Sequence, residues 1–295
     1  MNKKFVFFIG LTLLAFTVLS ACSSTNQEND PKEEVSESAK QTIQIGTNNW
    51  VENIAVSNMW KVLLAERGYN TELVAVEKAV LYEGLSSGDL DLGIEIWLPE
   101  TDKFYYEQYE DQLELGEVWY EGTELALVVP TYMENINSIE DLNEHAEKFD
   151  STIVGIEPGA SLMMLTEDVM EAYHLKFELQ PSSEAAMLTE LQTKMRNEEP
   201  VVVTLWKPHS SFAEMDLKVL EDPKNIYGDS ENIYYVGRES FSQDYPEVAK
   251  WLNAFELDDE QLGTLMAAVE NAESEVAGAK QWIAQNEALV NSWFD

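Results

Sequence analysis

Three tryptophans share one local context. Trp50 in GTNNWVEN, Trp97 in EIWLPE and Trp206 in TLWKPH each close an apolar, strand-like run just before a polar loop. Rings at strand ends of an α/β sheet face the crevice where such sheets bind ligands, so three of them converging would form an aromatic box. The electron-rich face of an indole attracts a quaternary ammonium by about 2 kcal/mol or more per desolvated contact. A methylated ammonium has no hydrogen to donate, so rings surround it better than a directional acceptor does. The competing reading of each ring is ordinary core packing. Trp60, Trp119, Trp251, Trp282 and Trp293 fall in or beside helical or loop segments and read as packing or surface residues. Around Trp97, Glu95, Glu100 and Asp102 place three carboxylates within five positions of the ring.

A second tool is GIEPGASLM, residues 155–163. A Gly–Pro–Gly turn opening a helix presents the amides of Ala160, Ser161 and Leu162 at the positive end of the helix dipole, which suits a carboxylate or another electronegative group. His209 in WKPH reads either as a structural hydrogen-bonding residue or as a ligand contact. His145 and His174 lie in polar helical contexts with no partner at metal-ligand spacing. Asp89 and Asp91 in GDLDLG look like turn acids. The sequence carries no nucleophile elbow, P-loop or His–acid metallohydrolase spacing. A hydrolase acting on a small cation therefore lacks its machinery, and no cofactor or metal is expected.

These residues need a scaffold of alternating strands and helices. TIQIGTNNW reads as a strand and turn, and ENIAVSNMWKVLLAERGY as a helix with Ile54, Met59, Val62 and Leu63 on one face, closed by Gly68. AVLYEGLSSGDLDLGIEIW repeats helix, Gly88 turn and strand; ELALVVP (124–130) is a further strand. The charged run 105–117 reads as a solvated helix face. A second unit follows: TIVGIEPG, a helix over 160–175, FELQPSS, a helix from EAAMLTELQTKMRNEE, and the strand PVVVTLW. The chain then returns as a strand and ends in helices. Alternation of this kind predicts α/β architecture with a largely parallel sheet, in two lobes with two crossovers: lobe I over 41–129 plus 233–295 and lobe II over 130–232.

The first forty residues set the expected compartment. Lys3 and Lys4 precede an apolar run from Phe5 to Leu19, followed by LSAC. That order reads as a signal peptide over 1–21, too short for a spanning helix. A cysteine after small residues resembles a bacterial lipobox, which implies cleavage before Cys22 and a lipid anchor on its thiol. Cys22 is the only cysteine, so neither a disulfide framework nor a cysteine-based zinc site is available. Residues 22–40 are polar and charged and read as a disordered tether. With 55 acidic against 18 basic residues and a formal charge of −37, the chain lacks the basic face that nucleic acid requires. The expectation is a monomer, anchored by lipid on the extracytoplasmic face of a cell membrane.

The sequence also resembles the substrate-binding proteins of ABC importers for glycine betaine, choline and related compatible solutes. NWVENIAVSNMWKVLLAERGY, GDLDLGIEIWLP, LALVVPTYMENINSIEDLN, GIEPGASLM, SSEAAMLTEL, VVVTLWKPHSSF and LKVLEDPKNIYG carry the resemblance in order over about 42–227. It implies a two-lobe periplasmic-binding-protein fold of type II with the ligand in the inter-lobe cleft, and permease and ATPase subunits as partners. It implies a cage of Trp50, Trp97 and Trp206, with a ligand carboxylate on the amides of Ser161 and Leu162. Two positions depart from the betaine pattern. Asp102 stands where betaine binders often carry a histidine, five residues after the tryptophan of WLP. Glu52 falls where choline-binding relatives carry an acid that accepts the ligand hydroxyl. Against choline, Ala160 and Leu125 replace an asparagine and a cage tyrosine. Glycine betaine and a choline- or carnitine-type ligand both stay open, as does a sensory lipoprotein of the same fold.

Overall fold

The computed structural model describes residues 42–295; the signal-like segment, Cys22 and the whole of the expected tether lie outside them. In chain order the elements are β1 (Ile43–Thr47), α1 (Val51–Glu66), β2 (Thr71–Ala75), α2 (Lys78–Ser87), β3 (Leu92–Leu98), α3 (Lys103–Tyr109), β4 (Leu113–Pro130), β5 (Thr152–Val154), α4 (Ser161–Ala172), β6 (Glu178–Gln180), α5 (Glu184–Arg196), β7 (Val203–Lys207), α6 (Ser211–Glu214), β8 (Leu217–Val219) and β9 (Glu231–Arg238). The C-terminal helices are α7 (Phe241–Asp244), α8 (Pro246–Asn253), α9 (Asp259–Glu270), α10 (Glu275–Gln285) and α11 (Glu287–Ser292). The predicted alternation of strands and helices is present.

Sheet order is β2-β1-β3-β9-β4-β7-β5-β6, with β8 added on β4. Strand β1 runs parallel to β2 and β3, and β5 runs parallel to β6 and β7. Among the described strands, antiparallel pairing enters through the long strand β4 and the returning strand β9. Strand β4 changes partner part-way: residues up to Thr123 pair with β9, and Glu124–Val128 pair with β7. One continuous strand thus joins two strand sets, and β9 brings the chain back to the first.

Local chemistry explains the element ends that matter for the site. Gly46 sits where a Cβ would lie 2.4 Å from Leu81 Cδ1, so glycine lets α2 approach β1 closely. Gly88 ends α2 in the left-handed region at φ 80°, as a C-terminal glycine does. Helix α5 is capped by Ser183, whose hydroxyl accepts from the Ala186 amide.

Two sequence expectations require correction. The run after Gln112 is not a helix face, because α3 ends at Tyr109 and β4 already begins at Leu113. Trp119 is therefore a strand residue, fully buried, with its indole N–H donating to the Ile94 carbonyl at 2.7 Å. It anchors β4 in the core of the first strand set.

Candidate functional site

Each of the three tryptophans is placed by a chain reversal at a strand end. Trp50 follows β1 and occupies the N-cap position of α1, with extended backbone. Trp97 is the penultimate residue of β3, and Trp206 the penultimate residue of β7. Both are followed two residues later by a proline after a cis peptide bond. The turn after Trp97 is held from β9, where Glu231 accepts the Glu100 and Thr101 amides at 2.8 and 2.9 Å.

The three rings meet. They line one cavity together with Glu52, Lys78, Thr101, Asp102, Leu125, Ile156, Ala160, Ser161 and Leu162. Trp50 and Trp206 lie edge to face, with ring centroids 6.3 Å apart and planes at 61°. All three indoles are buried, yet their environments differ. The Trp50 Nε1–H donates to Glu157 Oε1 at 2.5 Å, and the Trp97 Nε1–H donates to Glu95 Oε1 at 2.9 Å. Residues two apart on a strand share a face, which is why Glu95 meets Trp97. Trp206 Nε1 has no acceptor in hydrogen-bond geometry among the described residues; the polar group it faces is the Glu52 carboxyl.

Asp102 has several partners. One oxygen pairs with Lys78 Nζ at 2.9 Å and accepts the Trp97 amide at 3.0 Å. The other accepts the Ser161 hydroxyl at 2.6 Å. Both members of the ion pair are 1 % exposed. Lys78 was not among the residues expected at the site. Its ammonium also stands 4.8 Å from the centroid of the Trp50 ring, so a built-in cation already contacts the box. The negative charge that the sequence placed beside the ligand is thus balanced within the protein.

Helix α4 opens at this point. The Ala160 amide is engaged by the Glu157 carbonyl at 3.3 Å, which leaves the amides of Ser161 and Leu162 as the first-turn donors without a backbone acceptor among the described residues. Ala160, Ser161 and Leu162 all line the cavity. Of the three amides expected to be open, two are.

Glu52, in the first turn of α1, is fully buried and lines the cavity, and neither of its carboxyl oxygens has a donor in hydrogen-bond geometry among the described residues. Burial raises its pKa well above the usual carboxyl range, and the nearby Glu95 and Glu184 raise it further. Glu95 is pushed up to about 6 by burial, a rise that the Lys78 ammonium partly offsets.

His209, expected as a ligand contact, is not among the residues that line the cavity. Its ring packs against Trp206 with centroids 4.8 Å apart, Nδ1 accepts the Ser211 amide at 3.0 Å, and Nε2 lies 3.2 Å from Glu184 Oε1. Both nitrogens are committed, so the histidine supports the ring from behind. No cluster of metal-ligating side chains occurs among the described residues.

Residues 41–285 match the family model described as the substrate binding domain of the ABC-type glycine betaine transport system. The chain belongs to this family. The family is described as the substrate-binding domains of that transport system. A glycine betaine/carnitine transport binding protein from Listeria monocytogenes is 39 % identical over 152 residues, half of this chain and 51 % of that one, so the match spans about half the length of the relative. Lactococcal OpuAC, solved closed and liganded with glycine betaine, superposes with a TM-score of 0.81 at 33 % identity, covering 86 % of this chain and 100 % of that one. The glycine betaine, L-proline-binding protein of Borrelia burgdorferi gives a TM-score of 0.82 at 32 % identity, over 86 % and 96 % of the two chains. A choline-binding protein solved with choline shares the fold at a TM-score of 0.80 and 23 % identity, over 85 % and 91 %. The fold is therefore the expected two-lobe, type II binding-protein fold.

Proposed function

We propose that this chain captures a small quaternary ammonium osmolyte in the cavity between its two strand sets and delivers it to an ABC permease with its ATPase. The convergence of Trp50, Trp97 and Trp206 on one buried cavity carries the reading. The rings hold the methylated head by cation–π contact, and the Ser161 and Leu162 amides take the polar tail. Glycine betaine is the first choice of ligand. The Listeria relative is named for glycine betaine and carnitine, the lactococcal structure holds glycine betaine, and Lys78 balances the charge of Asp102 that would otherwise oppose a ligand carboxylate. A choline- or carnitine-type ligand is the alternative, favoured by the unpartnered carboxyl of Glu52.

We place the first lobe boundary at the partner switch between Thr123 and Glu124 rather than at 129, and the return at Glu231, where β9 begins. Anchoring through a lipid on Cys22 and action as a monomer on the extracytoplasmic face complete the proposal. No helix among the described residues is long and apolar enough to cross a membrane.

The test is a thermal-shift panel of glycine betaine, proline betaine, carnitine, choline and ectoine on the purified protein. A ligand of the native state at a hundred times its Kd adds about 2.7 kcal/mol of stability. At least one trimethylated or dimethylated ammonium compound is expected to raise Tm by several degrees. A flat panel contradicts the reading.

A further inference from the structure

Two carboxyls, Glu52 and Glu95, are buried beside one another near the cavity. Glu52 comes from the first turn of α1 and Glu95 from the middle of β3. Both side chains are buried, they lie near enough for the charge of Glu95 to raise the Glu52 pKa, and three of their four oxygens lack a donor in hydrogen-bond geometry among the described residues. Only Glu52 lines the cavity; Glu95 lies behind Trp97, whose indole N–H it accepts. The charged neighbours are Glu184 on α5, facing Glu52, and Lys78 on α2 with Asp102, facing Glu95. Lys78 is already paired with Asp102 and reaches only the backbone carbonyl of Glu95, at 3.3 Å. Glu184 is engaged by His209 and by the Val51 amide. Among the described residues, no cation is left over to neutralise both Glu52 and Glu95. Two like charges in contact in a water-poor interior do not both ionise, and one proton is retained between them.

We propose that this Glu52–Glu95 pair sets the ligand class of the cleft by holding one shared proton that a net cationic ligand displaces and a zwitterionic ligand leaves in place. The inference rests on the quaternary ammonium reading of the cavity. With the proton present, the Glu52 carboxyl donates a hydrogen bond to a ligand carboxylate, and the pair adds one negative charge opposite the ammonium head. With the proton gone, Glu52 is an acceptor for a ligand hydroxyl, and the second negative charge is balanced by a ligand whose own charge is not cancelled. Choline-type cations therefore bind with release of a proton to solvent, and glycine betaine binds without it. The preference between the two classes shifts with pH through the range where the Glu52 carboxyl, held well above the usual carboxyl range by burial and by Glu95, gives up its proton.

The experiment is calorimetric titration of the purified protein with choline and with glycine betaine, at several pH values on both sides of that range. Each titration is run in two buffers of different ionisation enthalpy, so that the difference in heat counts protons. The expected result is release approaching one proton per choline at the acidic side and near zero per glycine betaine. The ratio of choline to glycine betaine affinity rises with pH by up to about tenfold per unit, the limit for one linked proton. Glu95→Gln removes a neighbour that raises the Glu52 pKa while leaving Glu52 in the cavity, so the window of proton release moves to lower pH. Ligand-free unfolding of the variant checks that it is folded. Equal proton counts for the two ligands, or a window that Glu95→Gln leaves in place, overturns the pair as selector. Absence of binding by the whole panel overturns the solute-binding reading itself, and the pair with it.

Discussion

The ammonium of Lys78 is a charge already inside the cavity, held between Asp102 and the ring of Trp50. A buried ion pair contributes little net stability compared with apolar residues, but removing one member strands the other. Lys78→Met should therefore cost about 3–5 kcal/mol in chemical denaturation, and Lys78→Met with Asp102→Leu should recover part of that loss. A single variant as stable as the native protein would show that the pair is not dry. Trp97 belongs to the ligand instead. Trp97→Ala should weaken binding at least tenfold in calorimetry, because about 2 kcal/mol of cation–π contact is lost with the ring. The tryptophans were legible in the sequence because all three repeat one context. Lys78 was not, since a lysine opening a helix looks like solvated surface; its one local clue is that a cation in a first turn opposes the helix dipole. Glu52 and Asp102 were legible as positions but not as environments. Nothing in one dimension shows that Asp102 meets Lys78 from another helix while Glu52 has no donor in hydrogen-bond geometry among the described residues.

At the scale of elements, the turn into α4 decides where the Ser161 and Leu162 amides point. Gly159 holds φ at 93°, a conformation that side chains with a Cβ rarely adopt. Gly159→Ala should cost about 1–2 kcal/mol of stability, and ligand affinity should fall with it as the helix start shifts. Unchanged affinity in a destabilised variant would separate the turn from the ligand's polar tail. Only the second half of β4 carries a strand's signature in its own composition. That half ends in Leu127, Val128, Val129 and Pro130, a buried apolar run that marks a strand by composition alone. The first half, LELGEVWYEG, mixes exposed and half-buried positions with acidic residues before the buried Trp119 and Tyr120, so its strand character depends on β9 rather than on its own composition.

On the scale of the whole molecule, four contacts join the first strand set to the second around the cavity. The Ser161 hydroxyl reaches Asp102, the Trp50 indole reaches Glu157, the Val51 amide reaches Glu184, and the Tyr105 hydroxyl donates to the Gly159 carbonyl. These contacts describe a closed cleft, in which burial governs the acids. Glu52 and Glu95 both titrate above the ordinary carboxyl value of 4.5 in the folded chain. The sign follows directly: the folded state keeps protons that the unfolded chain loses at lower pH. The contribution is in place below about 4.5 and is lost as pH rises through about 6. Between those limits the ligand-free native protein should lose about 2 kcal/mol more than Glu52→Gln/Glu95→Gln, taking Glu95 alone at 1.36 kcal/mol per pKa unit. Parallel denaturation curves across that range would show that the two acids are not buried together. The alternation of strands and helices and the return of the chain were legible from periodicity. Which lobe each half of β4 serves was not, because a strand that switches partner carries no local mark.

The central claim is that the three rings bind a positive charge and not merely a methylated surface. Calorimetry with pairs of ligands matched in shape tests it: glycine betaine against tert-butylacetate, and choline against tert-butylethanol, in which carbon replaces the quaternary nitrogen. Hydrophobic burial is nearly the same within each pair, and what differs is the positive charge, which the ring faces and the cavity's carboxyls attract. The account predicts that the better ammonium ligand binds at least tenfold more tightly than its carbon counterpart. Equal affinities within both pairs would contradict it.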